Sequence, residues 1–235
     1  MNDTTTSTST MPRIVNLTKW LEDCTNLYVR LICNPVGIGF PDKGSPETIV
    51  HSVQKIIRVG NLDQVLQEHA QENIWRSWQL FADESCSELV SYIPLFIDID
   101  NEKLNLDDAY SLTQDCLVWF ERTNRYFAPD CLRIVFSGKK GFHIEARPNE
   151  AVDNQLIRDS LITGLREMRI EHNEFKNDFL KGTIDTLSHE FIRLTGSFNS
   201  WKEVNVLRKR KAIQLSLDEF RELGIKGIVA KSEAS

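Results

Sequence analysis

Two aspartates, Asp98 and Asp100, close the apolar run "IPLFIDID" at residues 93–100. Side chains two apart on a strand share a face, so Ile97 and Ile99 would enter a core while both carboxylates project from the other side. Crowding carboxylates is costly unless something positive answers them. Such a pair suits a hard divalent cation, because Mg²⁺ and Mn²⁺ prefer oxygen donors and keep places for substrate phosphates. The plainer reading is a strand that ends in solvent, since the polar Asn101, Glu102 and Lys103 follow.

A second constellation lies in "FSGKKGFHIE", Phe136–Glu145. Two glycines bracket Lys139 and Lys140 between two strand-like runs. Glycines permit a tight turn and let backbone amides approach an anion, and the lysines add charge. Ser137 and His143 flank the turn, where a hairpin brings both near one phosphate. A solvated lysine-bearing turn is the alternative. A third constellation is "TIDTLSHEFIRLTGSFNSW" at 183–201, with Asp185 after an apolar residue and Arg193 between Ile192 and Leu194. An arginine inside an apolar stretch needs a partner, and either a carboxylate or a phosphate matches its fork. Together the three sets offer carboxylates for metal and Ser, Lys, His and Arg for a triphosphate, the parts phosphoryl transfer requires.

The order "FIDID", then "SGKKGFH", then an aspartate before "IRLTGSF", resembles the archaeo-eukaryotic primase superfamily, the fold of the small catalytic primase subunit and of primase-polymerases. The likeness covers about residues 90–220. It implies that Asp98, Asp100 and Asp185 bind two divalent ions, Mg²⁺ or Mn²⁺. It implies that Ser137, Lys139, Lys140, His143 and Arg193 bind the phosphates of the incoming NTP or dNTP. The implied reaction is attack of a 3′-hydroxyl on the nucleotide's α-phosphate, templated by single-stranded DNA. A large primase subunit, a helicase or other replication proteins are further partners the resemblance admits. The sequence departs from the family pattern in several places. Asp185 lies close to Arg193, with Asp178 the nearest alternative ligand. Thr195 stands in place of a proline, and the zinc-binding Cys/His cluster of many replicative primases has no counterpart. Two other readings remain: a non-catalytic subunit of the same fold that grips DNA or a partner polymerase, and a DxD glycosyltransferase, which leaves the Ser137–His143 turn unexplained.

These residues need a scaffold. The pattern predicts an α+β domain, a sheet covered by helices, with additional helical material at the N-terminus. Helices are expected at 14–32, 47–57 and 61–82, and strands at 93–99, 131–137 and 142–146, the last two as a hairpin. Further helices are expected over 106–124 and 153–171, and extended segments at 191–198 and 203–215. In the 106–124 helix Ala109, Leu112, Cys116, Leu117 and Phe120 recur at helical spacing. Ser216 and Glu219 form a capping box for a last helix that closes on Gly224. The resulting division is a disordered tail at 1–12, a helical part at 13–90, a catalytic core at 91–224 and a C-terminal tail at 225–235.

The chain has 235 residues with a net charge of −6. That balance argues against a general polyanion-binding surface. A local basic groove is compatible with it, and Lys202, Arg208, Lys209, Arg210 and Lys211 form a late cluster suited to a phosphate backbone. Trp201 is positioned to stack a base, although packing is the commoner role. Trp20, Trp75, Trp78 and Trp119 read as core, and His51, His69, His172 and His189 carry no role by position. The five cysteines are widely and irregularly spaced without a CxxC pair, so buried thiols are expected rather than a structural zinc site. No run is long enough to span a membrane and the N-terminus has no signal-peptide pattern, so the expectation is an intracellular protein.

Overall fold

The computed structural model describes residues 21–34, 53–77, 79–92, 95–100, 105–123, 127–148, 154–170, 184–185, 191–203 and 206–234. The expected tail at 1–12, Trp20, Trp78, His51, His172, His189 and Asp178 lie outside them. The fold is α+β, built on two sheets. One sheet has the order β13-β7-β8-β6-β9, from Ile213–Leu215, Phe127–Phe136, Phe142–Pro148, Leu95–Ile99 and Ile184–Asp185. The other runs β12-β11-β3-β1-β4-β5 (Val206–Lys211, Phe198–Glu203, Asn73–Ser77, Tyr28–Asn34, Gln79–Phe81, Leu89–Tyr92). In this second sheet β10 (Phe191–Arg193) pairs with β3, and β2 (Val53–Arg58) pairs with β1.

Three helices cover one face of the first sheet: α2 (Leu106–Arg122), α3 (Asn154–Ile170) and α4 (Leu217–Ala234). Alternation decides which face. Ile97, Ile99, Ile134, Phe136, Phe142 and Ile144 are fully buried there against Leu112, Phe120, Leu161 and Phe220. The expected stripe on α2 is present, with Ala109, Leu112, Cys116, Leu117 and Phe120 all buried. Asn105 caps this helix by accepting from the Asp108 amide at 2.8 Å. The second sheet has its own core, in which Val29, Leu31, Cys33, Ile74 and Leu194 pack with Leu62 and Val65 of α1 (Leu62–Glu68). Between the sheets runs a polar seam. At its centre Arg76 of β3 pairs with Glu145 of β8 at 3.1 Å, both buried. Among the described residues no helix is long and apolar enough to cross a membrane.

The N-terminal part is corrected. Of the helix expected over 14–32, the described residues form a short 3-10 turn, Leu21–Cys24, followed by strand β1; of the helix expected at 47–57, the described residues 53–57 belong to β2. Only Leu62–Glu68 of the helix expected over 61–82 forms, and β3 and β4 replace its second half. Every residue of β3 is buried, so its two faces carry no alternation to distinguish it from a helix. Trp75 is accordingly buried on a strand. The chain also re-enters helix after Gly224. That glycine takes φ +58° as a kink, and Ile228 beyond it returns to the core, so 225–234 is packed structure. The Ser216–Glu219 capping box forms as expected: the Glu219 amide donates to Ser216 Oγ at 3.1 Å, and the Ser216 amide donates to Glu219 Oε2 at 3.0 Å.

Gly164 lets α3 approach α2. A Cβ there would sit 2.4 Å from Cδ1 of the buried Trp119 ring. Alanine improves helix propensity by about 1 kcal/mol, but overpacking costs about 1–3 kcal/mol. Gly164→Ala therefore lowers the free energy of unfolding, contrary to propensity, and a urea titration reads the sign directly.

Candidate functional site

Strand β6 lies between β8 and β9, and its register arranges the site. Asp98 is opposite His143 of β8 on one side and opposite Asp185 of β9 on the other. Thus the backbone brings the third aspartate level with the first, although 87 residues separate them in sequence. Ile97 and Ile99 face the helical core, so Asp98 and Asp100 share the opposite face. Asp98 is partly shielded at 24% exposure, and Asp100 is open at 49%.

The hairpin β7–β8 builds the second wall. Ser137 donates its amide to the Gly141 carbonyl at 3.0 Å, and its hydroxyl accepts from the Gly141 amide at 3.2 Å. The two glycines serve packing. Gly138 has φ +88°, and a Cβ there would meet the Arg210 carbonyl at 2.8 Å; one at Gly141 would press on the Asp100 side chain at 3.2 Å. The turn therefore fits between β12 and the end of β6. Lys140 reaches Asp100 at 3.6 Å, while Lys139 is exposed. His143 Nε2 lies 3.3 Å from Asp98 Oδ1, and its ring meets Phe96 edge-on at 5.0 Å.

Arg193 enters from the other sheet. Its Nη1 donates to the Phe198 carbonyl at 3.0 Å and, more weakly, to Asn73 Oδ1 at 3.4 Å; the guanidinium stacks over Trp75 at 4.0 Å. Among the described residues no carboxylate pairs with it, so the structural Arg–Asp pair that the sequence left open is not formed there. Burial lowers its pKa to about 9, which leaves it a cation at neutral pH. Asp98, Asp100, Ser137, His143 and Arg193 line one cleft of about 260 Å³ between the sheets, with Trp75, Phe96, Phe191 and Asn199.

Burial lowers the pKa of His143 to about 4; Glu145 and Asp100 raise it, and Arg193 and Arg76 lower it further. The imidazole is therefore neutral at pH 7, and its 3.3 Å approach to Asp98 Oδ1 lacks hydrogen-bond geometry. Because the folded pKa lies below the unfolded value, the unfolded chain takes up this proton first. The associated stability is complete above about pH 6.5 and is lost as pH falls toward 4. His143→Asn should flatten the loss of stability across that window, measured by denaturant titrations at each pH.

The late basic cluster is partly answered within the chain. Arg210 pairs with Glu233 at 2.8 Å, Lys209 donates to Gln71 at 2.6 Å, and Lys209 and Lys211 lie over the Phe198 ring. Arg208 is exposed. Lys202 and Trp201 lie on β11 opposite Leu207 and Arg208, at the far end of that hairpin from the Ser137 turn. Sequence reasoning missed Asn199, whose amide donates to the Ser137 carbonyl at 2.9 Å and ties the turn to β11. It also missed the role of Ser197, whose hydroxyl is engaged by the Leu194 and Ile74 carbonyls and so anchors "LTGS" as a turn. No local pattern announces either contact; only the pairing of the strands does.

No protein-family model matches the chain, and no curated protein matches it. Among solved structures, the polymerase domain of Mycobacterium tuberculosis Ligase D in complex with DNA aligns over 92% of this chain and 87% of that one. The identity is 14% and the TM-score 0.46, a likeness too slight to establish a family.

Proposed function

We propose that the protein is a template-directed nucleotidyltransferase of the primase-polymerase type, synthesising or extending primers on single-stranded DNA. The observation that carries this reading is the convergence on one cleft of two same-face carboxylates and a guanidinium that no described carboxylate neutralises. Asp98 and Asp100, with Asp185 in backbone register on β9, would offer oxygen donors of the kind that suits Mg²⁺ or Mn²⁺. Bound there, such an ion would neutralise charge on the phosphates and act as a Lewis acid. Arg193 would hold the triphosphate as a fixed cation, and Lys139 and Lys140 would add charge at the cleft's edge. His143, neutral, would pack beside Asp98 and limit where its carboxylate can turn. Asn199 would hold the Ser137 turn in place.

A specific observation also favours a non-catalytic DNA- or partner-binding role: Asp98 and Asp100 already meet His143 and Lys140 within the chain. Thermal unfolding in the presence of a nucleoside triphosphate and Mn²⁺ separates the two. The enzyme reading expects a rise in melting temperature that Arg193→Met removes. No rise at any triphosphate concentration would favour the binding role.

A further inference from the structure

Where β1 and β3 lie side by side inside the second sheet, three potential ligands meet that no sequence motif groups. Cys33 is on β1, His69 follows α1 as its C-cap, and Glu72 lies just before β3. One donor atom from each lies within 4.8 Å of the others. Cys33 is fully buried, His69 is 16% exposed and Glu72 32% exposed, so the cluster has a closed floor and an open mouth. Its backbone is fixed from several sides. Cys33 is paired with Val53 and Ile74 on the flanking strands, and the Glu72 amide donates to the His69 carbonyl at 2.9 Å. His69 Nδ1 lies 3.0 Å from Glu72 Oε1, is shielded from solvent and makes no hydrogen bond of acceptable geometry among the described residues.

We propose that Cys33, His69 and Glu72 form a site for a zinc-class divalent ion, separate from the aspartate cleft. Thiolate, imidazole and carboxylate together select a borderline-soft ion such as Zn²⁺ over Mg²⁺, and three protein donors leave the fourth position to water. One thiolate and one carboxylate balance the ion's two charges, which suits a half-buried place. Binding releases the Cys33 thiol proton to solvent and uses His69 Nδ1, which puts the ring proton on Nε2. Lys55 opposes this, because its ammonium sits 2.5 Å from Nε2 and must swing aside. Lys55 is thus a tethered cation that competes with the metal. This departs from the expectation of no structural zinc site, which rested on CxxC spacing; here the donors are 36 and 3 residues apart and only the sheet brings them together.

Equilibrium dialysis of the full, chelator-stripped chain against Zn²⁺, with excess Mg²⁺ to occupy the aspartates, tests the proposal alongside Co²⁺ absorption spectra. The expected results are one Zn²⁺ per chain and a thiolate-to-cobalt charge-transfer band. Both should be lost in Cys33→Ser and in the more exposed His69→Gln, and Lys55→Met should bind at least about tenfold more tightly by removal of a like charge. Circular dichroism establishes that His69→Gln folds should Cys33→Ser fail to. The absence of a cobalt–thiolate band in the wild type, or full zinc stoichiometry in a folded His69→Gln, overturns the proposal.

Discussion

Asp98→Asn together with Asp100→Asn reduces templated nucleotide incorporation by at least about a thousandfold. The expectation follows from the charge stabilisation a divalent ion supplies, several kcal/mol, since each 1.36 kcal/mol is a factor of ten in rate. The substitutions are nearly isosteric. They also relieve the crowding of two carboxylates on one strand face, so the melting temperature should hold or rise even as activity falls. Steady-state incorporation with labelled nucleotide on a primed single-stranded template, read beside a thermal melt, separates lost chemistry from lost folding. Retention of more than a tenth of the activity would mean that the two aspartates merely end a strand.

Glu145→Met destabilises the fold by about 3–5 kcal/mol, the cost expected on breaking a buried ion pair by removing one member. The carboxylate pairs with Arg76 across the seam between the two sheets, where both side chains are under a tenth exposed. Against a typical total of about 5–15 kcal/mol, this is a large share. The double replacement Arg76→Met with Glu145→Met should recover most of the loss, because two apolar groups leave no unpaired charge. The double-mutant cycle, measured by denaturant unfolding, gives the coupling directly. Additive losses would show that the pair does not join the sheets energetically. Glu145 also lies two residues from His143 and raises its pKa, so the seam sets the electrostatics of the cleft as well as its shape.

The parts legible in the sequence are those where apolar residues alternate with polar ones or recur at helical spacing. β6 and β8 set isoleucine and phenylalanine between Asp98, His143 and Glu145, so they read as strands although β8 is buried on both faces, and α2 shows its buried stripe at helical spacing. The N-terminal third follows a different rule. β3 is buried on both faces, and β2 is largely exposed, with Val53 and Ile56 open to solvent. Neither shows the period-2 signal, so tertiary pairing overrode a sequence that reads as helix.

The candidate site divides in the same way. Asp98, Asp100, Ser137 and His143 stand out by type and spacing because two adjacent strands present them. Arg193 stands out because a guanidinium is anomalous in an apolar run. The contacts of Asn199, the pairing of Arg76 with Glu145 and the meeting of Cys33 with His69 and Glu72 depend on strands far apart in sequence. Gly138 and Gly141 are legible as turn residues, but the neighbours that demand them, β12 and Asp100, are set by the sheets.

The most direct test of the central claim is to incubate the purified protein with single-stranded DNA of defined sequence, Mg²⁺ or Mn²⁺ and labelled NTPs or dNTPs, with and without a primer, and to size the products. The expected products require the metal, follow the template in composition and disappear in the Asp98→Asn, Asp100→Asn variant. No product under any combination of metal, nucleotide and primer, from a protein that is folded, would contradict that claim.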